Sequence, residues 1–378
     1  MPSSESSNSP RPAKHSTLAV AATWLCRILV GAAFIAGGWA KSIDPYGTLY
    51  KMQEYLHAWG VHGMPVEPVV LAAVALGALE LTVGVCVLTG VLRHSSAVAA
   101  SAIMAVMLPL TVYIAWANPV ADCGCFGDML VISNTATLLK NIVLAACCVW
   151  LLLHNNDCRG FFRRGVQWVV VLSTVLYSLV LAAAGYNVQP LVDFRDYPLG
   201  TDMSADGGAI AAFDEEDDEV EVFESSGRQL VFAVPEPGEH FLTRSRFANE
   251  LARYASVHGI ATAALVGTGA RGLEEWKLLA APVFDVYSAD DTDIKALVRG
   301  NIAAVYLRDG RIVWKRNLES LDTDLVENAA GRADALDRVE ASDDGRLALR
   351  LSAAYLGLLL ILFLFGLFLP RKKQPLDF

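Results

Sequence analysis

The chain has 378 residues, 54% of them apolar and only 19% charged, with a mean hydropathy of +0.40. These values exclude a wholly disordered chain and argue against an ordinary soluble globule. The net charge of −10 is unevenly placed: residues 186–350 carry 31 acids against 17 bases, net −14, and the remainder is net +4. The soluble part therefore has the wrong sign for a nucleic-acid surface.

Six stretches have the length and apolarity of transmembrane helices, which need about 20 residues. They are 18–38, 68–92, 96–116, 135–153, 166–185 and 351–369. The first is too long for a signal peptide, lacks a small-residue cleavage site, and more spans follow it. Charges inside the spans are Arg27, Glu80 and Lys140. Loop cations set the orientation. Arg11 and Lys14, Arg93, Arg159, Arg163 and Arg164, and Arg371, Lys372 and Lys373 all fall on one side if six spans are counted. That predicts a bacterial inner-membrane protein with both termini cytoplasmic and residues 186–350 periplasmic. Lys41 and Lys51 break this pattern mildly.

In chain order, the expected division is a tail at 1–17, a four-span bundle at 18–153, a basic loop at 154–165 and a fifth span at 166–185. An acidic linker at 186–228, an α/β domain at 229–345, a sixth span at 348–369 and a basic tail at 370–378 follow. Within 39–67, Trp39, Tyr46, Tyr50, Tyr55 and Trp59 alternate with polar residues, as in a helix lying at the headgroup zone.

Arg27 and Glu80 lie about 9 and 12 residues into their spans from the same side, depths that differ by about 5 Å. An isolated intramembrane charge costs about 3 kcal/mol, so the two are expected to pair. The pair is either a structural lock or a proton or quinone site. Lys140 is expected to snorkel outward to Asp128 or Glu67.

Of seven cysteines, Cys26, Cys86, Cys147 and Cys148 fall within spans, where cysteine is usually a small hydrophobe. Cys158 lies on the reducing side. Cys123 and Cys125 are set apart, in the outer loop ANPVADCGCFGDML. A disulfide across one residue needs a sharp bend, which Gly124 permits. Such a ring is strained and easily reduced. Lys140 would lower a thiol pKa, and Asp122 and Asp128 would raise it. Three readings stay open: thiol exchange with a client, with electrons moving to or from a membrane carrier such as a quinone; metal binding with Asp122 or Asp128 as further ligands; and a structural turn.

Beyond the acid run Asp214–Glu219, strands are expected at QLVFAV (229–234), IATAALVGT and PVFDVYS. Helices are expected at 241–259, LEEWKLLAA and about 319–336. A hairpin over 302–316 turns at Asp309-Gly310. The order β-α-β-α-β-β-α is similar to that of the thioredoxin-like fold. The chain departs from the redox members of that fold, because no cysteine occurs between residues 159 and 378. Such a domain cannot exchange thiols and is expected to dock a partner.

The first four spans resemble the DoxX family, and the loop resembles its MauE-like branch, named for methylamine utilisation. The resemblance rests on RILVGAAFIAGGWAKSIDPYG (27–47), GALELTVG (77–84), the ADCGCFGD and TLLKN segments of 121–141, and DFRDYPLG (193–200). It implies a mostly α membrane protein with two further spans bracketing the outer domain. It also implies redox maturation of disulfide-rich periplasmic enzymes, or quinone- and thiol-linked membrane redox. Cys123 and Cys125 would be the reacting thiols, with Asp122, Asp128 and Lys140 around them, and a membrane quinone is the candidate cofactor. The partners expected are membrane lipid and a periplasmic or membrane protein client. The competing reading is a non-enzymatic scaffold or assembly subunit of an envelope complex.

Overall fold

The computed structural model describes residues 17–154, 158, 160–205, 210–235, 241–267, 273–300, 302–322, 335–339 and 345–368. Six of its helices are long and apolar enough to cross a membrane. These are α1 (Thr17–Ile43), α3 (Val66–Thr89), α4 (Arg93–Ala117), α5 (Asn134–His154), α6 (Arg164–Asn187) and the last helix, α10 (Arg346–Phe368). The short helix α2 (Pro45–Ala58) falls where the aromatic-rich loop was expected to be helical. Asp44 caps it by accepting from Gly47 N at 2.9 Å, and Pro45 fills its first position, where a missing N–H costs nothing.

Lipid offers little hydrophobic drive between helices, so close approach comes from small residues. A Cβ on Gly38 of α1 would sit 2.2 Å from Leu81 N of α3, and one on Gly31 would sit 2.7 Å from Leu88 Cβ. These contacts fix the α1–α3 register, with residue 38 level with 81 and residue 31 level with 88. Helix α10 is held to α6 by hydrogen bonds of Tyr177 OH with Ser352 Oγ and of Thr174 Oγ1 with Tyr355 OH, both 2.6 Å.

That register explains why the expected Arg27–Glu80 pair does not form. Glu80 lies level with residue 39, about 12 residues or 18 Å along α1 from Arg27. Arg27 instead sits beside Gly90 and donates to the Cys158 carbonyl at 3.2 Å. The depth arithmetic failed because α1 begins at Thr17, about 12 residues before the point level with the Gly90 cap that ends α3, so Arg27 lies at that cap and not level with Glu80.

Between α6 and α10 lies a domain built on a seven-stranded sheet of order β2-β1-β5-β4-β3-β6-β7. Its members are β1 (Ala212–Phe213), β2 (Glu219–Val220), β3 (Arg228–Val234), β4 (Ala261–Gly267), β5 (Asp285–Ala289), β6 (Ala303–Arg308) and β7 (Arg311–Asn317). β3 is parallel to β4 and β4 to β5, while β6 runs antiparallel to β3 and β7. The β6–β7 turn has positive φ at Asp309 (49°) and Gly310 (74°), the signature of a type I′ hairpin. Helix α7 (Phe241–Val257) covers one face, where Phe232, Leu251, Tyr306 and Trp314 pack. Helix α9 (Asp291–Leu297) lies on the other, with Val231, Leu265, Ile294 and Val305. Helix α8 (Leu273–Ala280) follows β4.

Residues expected to be an acidic linker fold onto this domain. Met203, Ile210, Val222 and Phe223 enter its second apolar cluster, and β1 and β2 extend the sheet beyond β5. The acid run makes the turn between them: Asp214 Oδ1 accepts from Glu216 N and Asp218 N at 2.9 and 3.0 Å. The expected closing helix at 319–336 falls largely outside the described residues. So does part of the loop after β3.

Candidate functional site

The cysteine loop, between α4 and α5, is tied down at both ends. Asn134, at the start of α5, donates to Asn118 Oδ1 at 2.8 Å and to the Val120 carbonyl at 3.0 Å. Asp128, at the other end, bonds to the Arg299 guanidinium. Arg299 also pairs with Asp44 at 3.0 Å and lies over the Tyr50 ring, 5.4 Å from its centroid. Its backbone is fixed by Gln189, whose Nε2 donates to the Arg299 carbonyl at 2.8 Å while Oε1 accepts from Arg299 N at 3.0 Å. The sheet domain is thus clamped to the cysteine loop and to α2.

The turn around the thiols is built by Asp122. Its Oδ1 accepts from Gly124 N at 2.7 Å, and its Oδ2 accepts from Lys51 Nζ at 3.1 Å. Gly124 has φ +65°, and a Cβ there would lie 2.6 Å from Lys51 Cγ. Both conformation and space therefore demand glycine. Tyr55 OH donates to the Cys123 carbonyl at 3.0 Å. Cys123 is buried against Ile114, Val120 and Tyr55.

Beneath the loop lies a cavity of about 180 Å³. Phe34, Met104, Met107, Leu110 and Leu144 give it apolar walls, and Lys41, Glu80, Lys140 and Asn141 add polar groups. Lys41 Nζ donates to Glu80 Oε2 at 2.8 Å and to the Cys125 carbonyl at 2.6 Å. Lys140 Nζ lies 4.4 Å above the centroid of the Phe126 ring. It has no carboxylate within 4.0 Å among the described residues, so the expected pairing with Asp128 or Glu67 is not seen. Asp128 is taken by Arg299, which lies too far along the sequence to have been considered.

The two sulfurs form an asymmetric pair. A hydrogen bond from the Cys123 thiol lowers the Cys125 pKa to about 6 against the effect of burial, with Lys140 and Lys41 adding to the fall and Glu80 opposing it. Cys123 moves the other way, because its proton is held in that hydrogen bond and the site is buried. The two sulfurs thus differ in their hold on a proton.

The structure thus brings Cys123, Cys125, Asp122, Lys140 and Glu80 together and places Asp128 at the domain clamp. Arg27 lies apart. Sequence reasoning missed Lys41, Lys51, Tyr55 and Arg299 as parts of the site. A signal was present for two of them: Lys41 and Lys51 were the cations that broke the expected charge bias, and each has an acidic partner. Among the described residues, no group of three or more His, Cys, Asp or Glu side chains could hold a metal ion.

Residues 19–154 match the model of the family described as Methylamine utilisation protein MauE. The match spans α1 to α5 and contains the whole cysteine loop. No curated protein and no solved structure gives a match. With its six long apolar helices, the chain is a multi-pass membrane protein whose residues 19–154 are similar to that family.

Proposed function

We propose that this MauE-like membrane protein is a thiol-redox factor that matures client proteins by cycling Cys123 and Cys125 between dithiol and disulfide. The observation that carries this reading is the split in thiol acidity over a cavity bearing the Lys140 ammonium. A client thiolate attacks Cys123 Sγ, the Cys123–Cys125 bond breaks, and Cys125 leaves as the thiolate its surroundings favour. The client's second thiol, on losing its proton, attacks its own sulfur in the mixed disulfide. Cys123 departs and takes up a proton. The client has lost two electrons and the loop has gained them.

A membrane quinone, which takes up two electrons and two protons, fits the donor set as the next carrier. The apolar walls suit its ring, and Lys140 and Asn141 suit its carbonyl oxygens. The outer domain serves as the docking element for the client. Its parallel β3-β4-β5 core followed by the β6–β7 hairpin supports a thioredoxin-like reading in which the fold is kept and the sulfur chemistry is left to the loop. The Arg299–Asp128 bond supports putting domain and loop on one face of the membrane, and the loop-cation count supports that face being periplasmic in a bacterial inner membrane. A scaffold reading is favoured by the same firm clamp and the absence of domain cysteines.

The test is loss of the loop disulfide. Cys125→Ser cannot form the Cys123–Cys125 bond that takes the client's electrons, so client thiols stay reduced, as they do when both cysteines are replaced by alanine. A scaffold predicts oxidised clients and retained function in both variants.

A further inference from the structure

Among the described residues, Glu80 is the one carboxylate lining the cavity beneath the cysteine loop. It is 8% exposed and shares Lys41 Nζ with the Cys125 carbonyl. Its Oε1 accepts no hydrogen bond from any described residue. Gly37 lets loop and carboxylate meet: a Cβ there would lie 2.9 Å from Cys125 O and 3.0 Å from Glu80 Oε2.

The charges lining the cavity are few. Lys51 is matched by Asp122 at 3.1 Å and Glu54 at 2.7 Å, and Lys41 by Glu80 at 2.8 Å. Lys140 has no carboxylate within 4.0 Å among the described residues and stands over the ring of Phe126, next to Cys125. Among the described residues lining the cavity, Glu80 is the carboxylate available to take the Cys123 proton.

Resting on the thiol-redox reading above, we propose that Glu80 is the proton acceptor for closure of the loop disulfide, and that Lys41 is the positioning residue that holds it there. As the Cys123 Sγ–Cys125 Sγ bond forms, the Cys123 S–H bond breaks and its proton passes to Glu80, through cavity water for which about 180 Å³ leaves room. The two electrons leave to a quinone-class acceptor. The proton on Glu80 follows them, and water supplies the second, replacing the one Cys125 gave up on ionising. Two electrons arriving in the cavity bring two negative charges, which the proton on Glu80 and the Lys140 ammonium offset.

The experiment mixes purified, reduced full-length protein with a short-chain benzoquinone at pH 7 and follows loop disulfide formation by quenched alkylation. In parallel, the rate of Cys125 alkylation by iodoacetamide is measured. Oxidation of the wild type comes first, since a wild type that does not oxidise overturns the thiol-redox reading together with this one. Given an active wild type, Glu80→Gln slows oxidation about a hundredfold. It leaves Cys125 alkylation undiminished, because removing the carboxylate favours the thiolate. Glu80→Asp restores part of the oxidation rate. Oxidation of Glu80→Gln at the wild-type rate overturns the role of Glu80 alone. Loss of oxidation and alkylation together, with no recovery in Glu80→Asp, also overturns it, because that is how a purely structural residue behaves. If Glu80→Gln yields no folded protein, Gly37→Ala is read instead. It keeps every charge but wedges loop and carboxylate apart, so oxidation slows at least tenfold with alkylation unchanged. A wild-type oxidation rate there overturns the proposal.

Discussion

The guanidinium of Arg299 in the sheet domain is bound to the carboxylate of Asp128, 171 residues earlier, at the end of the cysteine loop. The clamp makes the loop's mobility depend on a domain that has no thiol of its own. Arg299→Ala leaves Asp128 and the largely buried Asp44 without their cation. The cost is about 2 kcal/mol in thermal unfolding of the purified protein, below the usual figure for a buried pair because Asp128 is 41% exposed. The same variant speeds alkylation of Cys123, which is 8% exposed in the docked form. Unchanged alkylation would show that the domain does not cover the loop.

Lys140 supports the Cys125 thiolate from within the cavity. In the reduced protein, Cys125 alkylation rises with pH through a midpoint near 6 and is level by pH 8, because only the thiolate reacts. Lys140→Gln removes a positive charge that favours the ionised sulfur, so the midpoint moves upward by about one pH unit. A midpoint that stays put, or falls, contradicts the assigned electrostatics.

Asp193, in the segment joining α6 to the sheet domain, carries a pH-dependent part of that domain's stability. Burial alone would raise its pKa, but Arg195 and Lys315 hold it at about 2, below the ordinary 3.8. A depressed carboxylate stabilises the fold above its unfolded pKa, and the contribution is lost as pH falls through the folded value. That contribution, about 2 kcal/mol, is therefore intact at pH 5 and lost between about pH 4 and 2. Asp193→Asn abolishes this acid transition in a melting series. It also leaves Lys315, 1% exposed, without its carboxylate and lowers stability by about 3 kcal/mol at pH 7.

Gly38 is the tightest crossing between α1 and α3. Gly38→Val drives a branched side chain into the Leu81 backbone and separates the helices that carry Lys41 and Glu80. Folded yield in membranes falls severalfold. Gly165→Ala, at a helical position with nothing within 4 Å of a new Cβ, leaves yield unchanged and serves as the control.

How much of this was legible in the sequence depends on the range of the interaction. The long apolar helices and the Asp309-Gly310 hairpin follow from local pattern, and reading them needed no partner. The cysteine loop stood out because Cys-Gly-Cys is rare chemistry at a span end. The Lys41–Glu80 pair was hidden, because it depends on a helix register set by Gly31, Gly38 and the Gly90 cap. Strands β1 and β2 were hidden as well: two residues each, among acids, they exist only because β5 offers an edge to pair with. Nothing local in the sequence marks Arg299 as the partner of Asp44 and Asp128.

The most direct test is the redox state of Cys123 and Cys125 in membranes whose quinone pool is driven oxidised and then reduced, read by mass after alkylation. The account predicts a loop disulfide with the oxidised pool and two alkylated thiols with the reduced pool. Two free thiols under both conditions would contradict it.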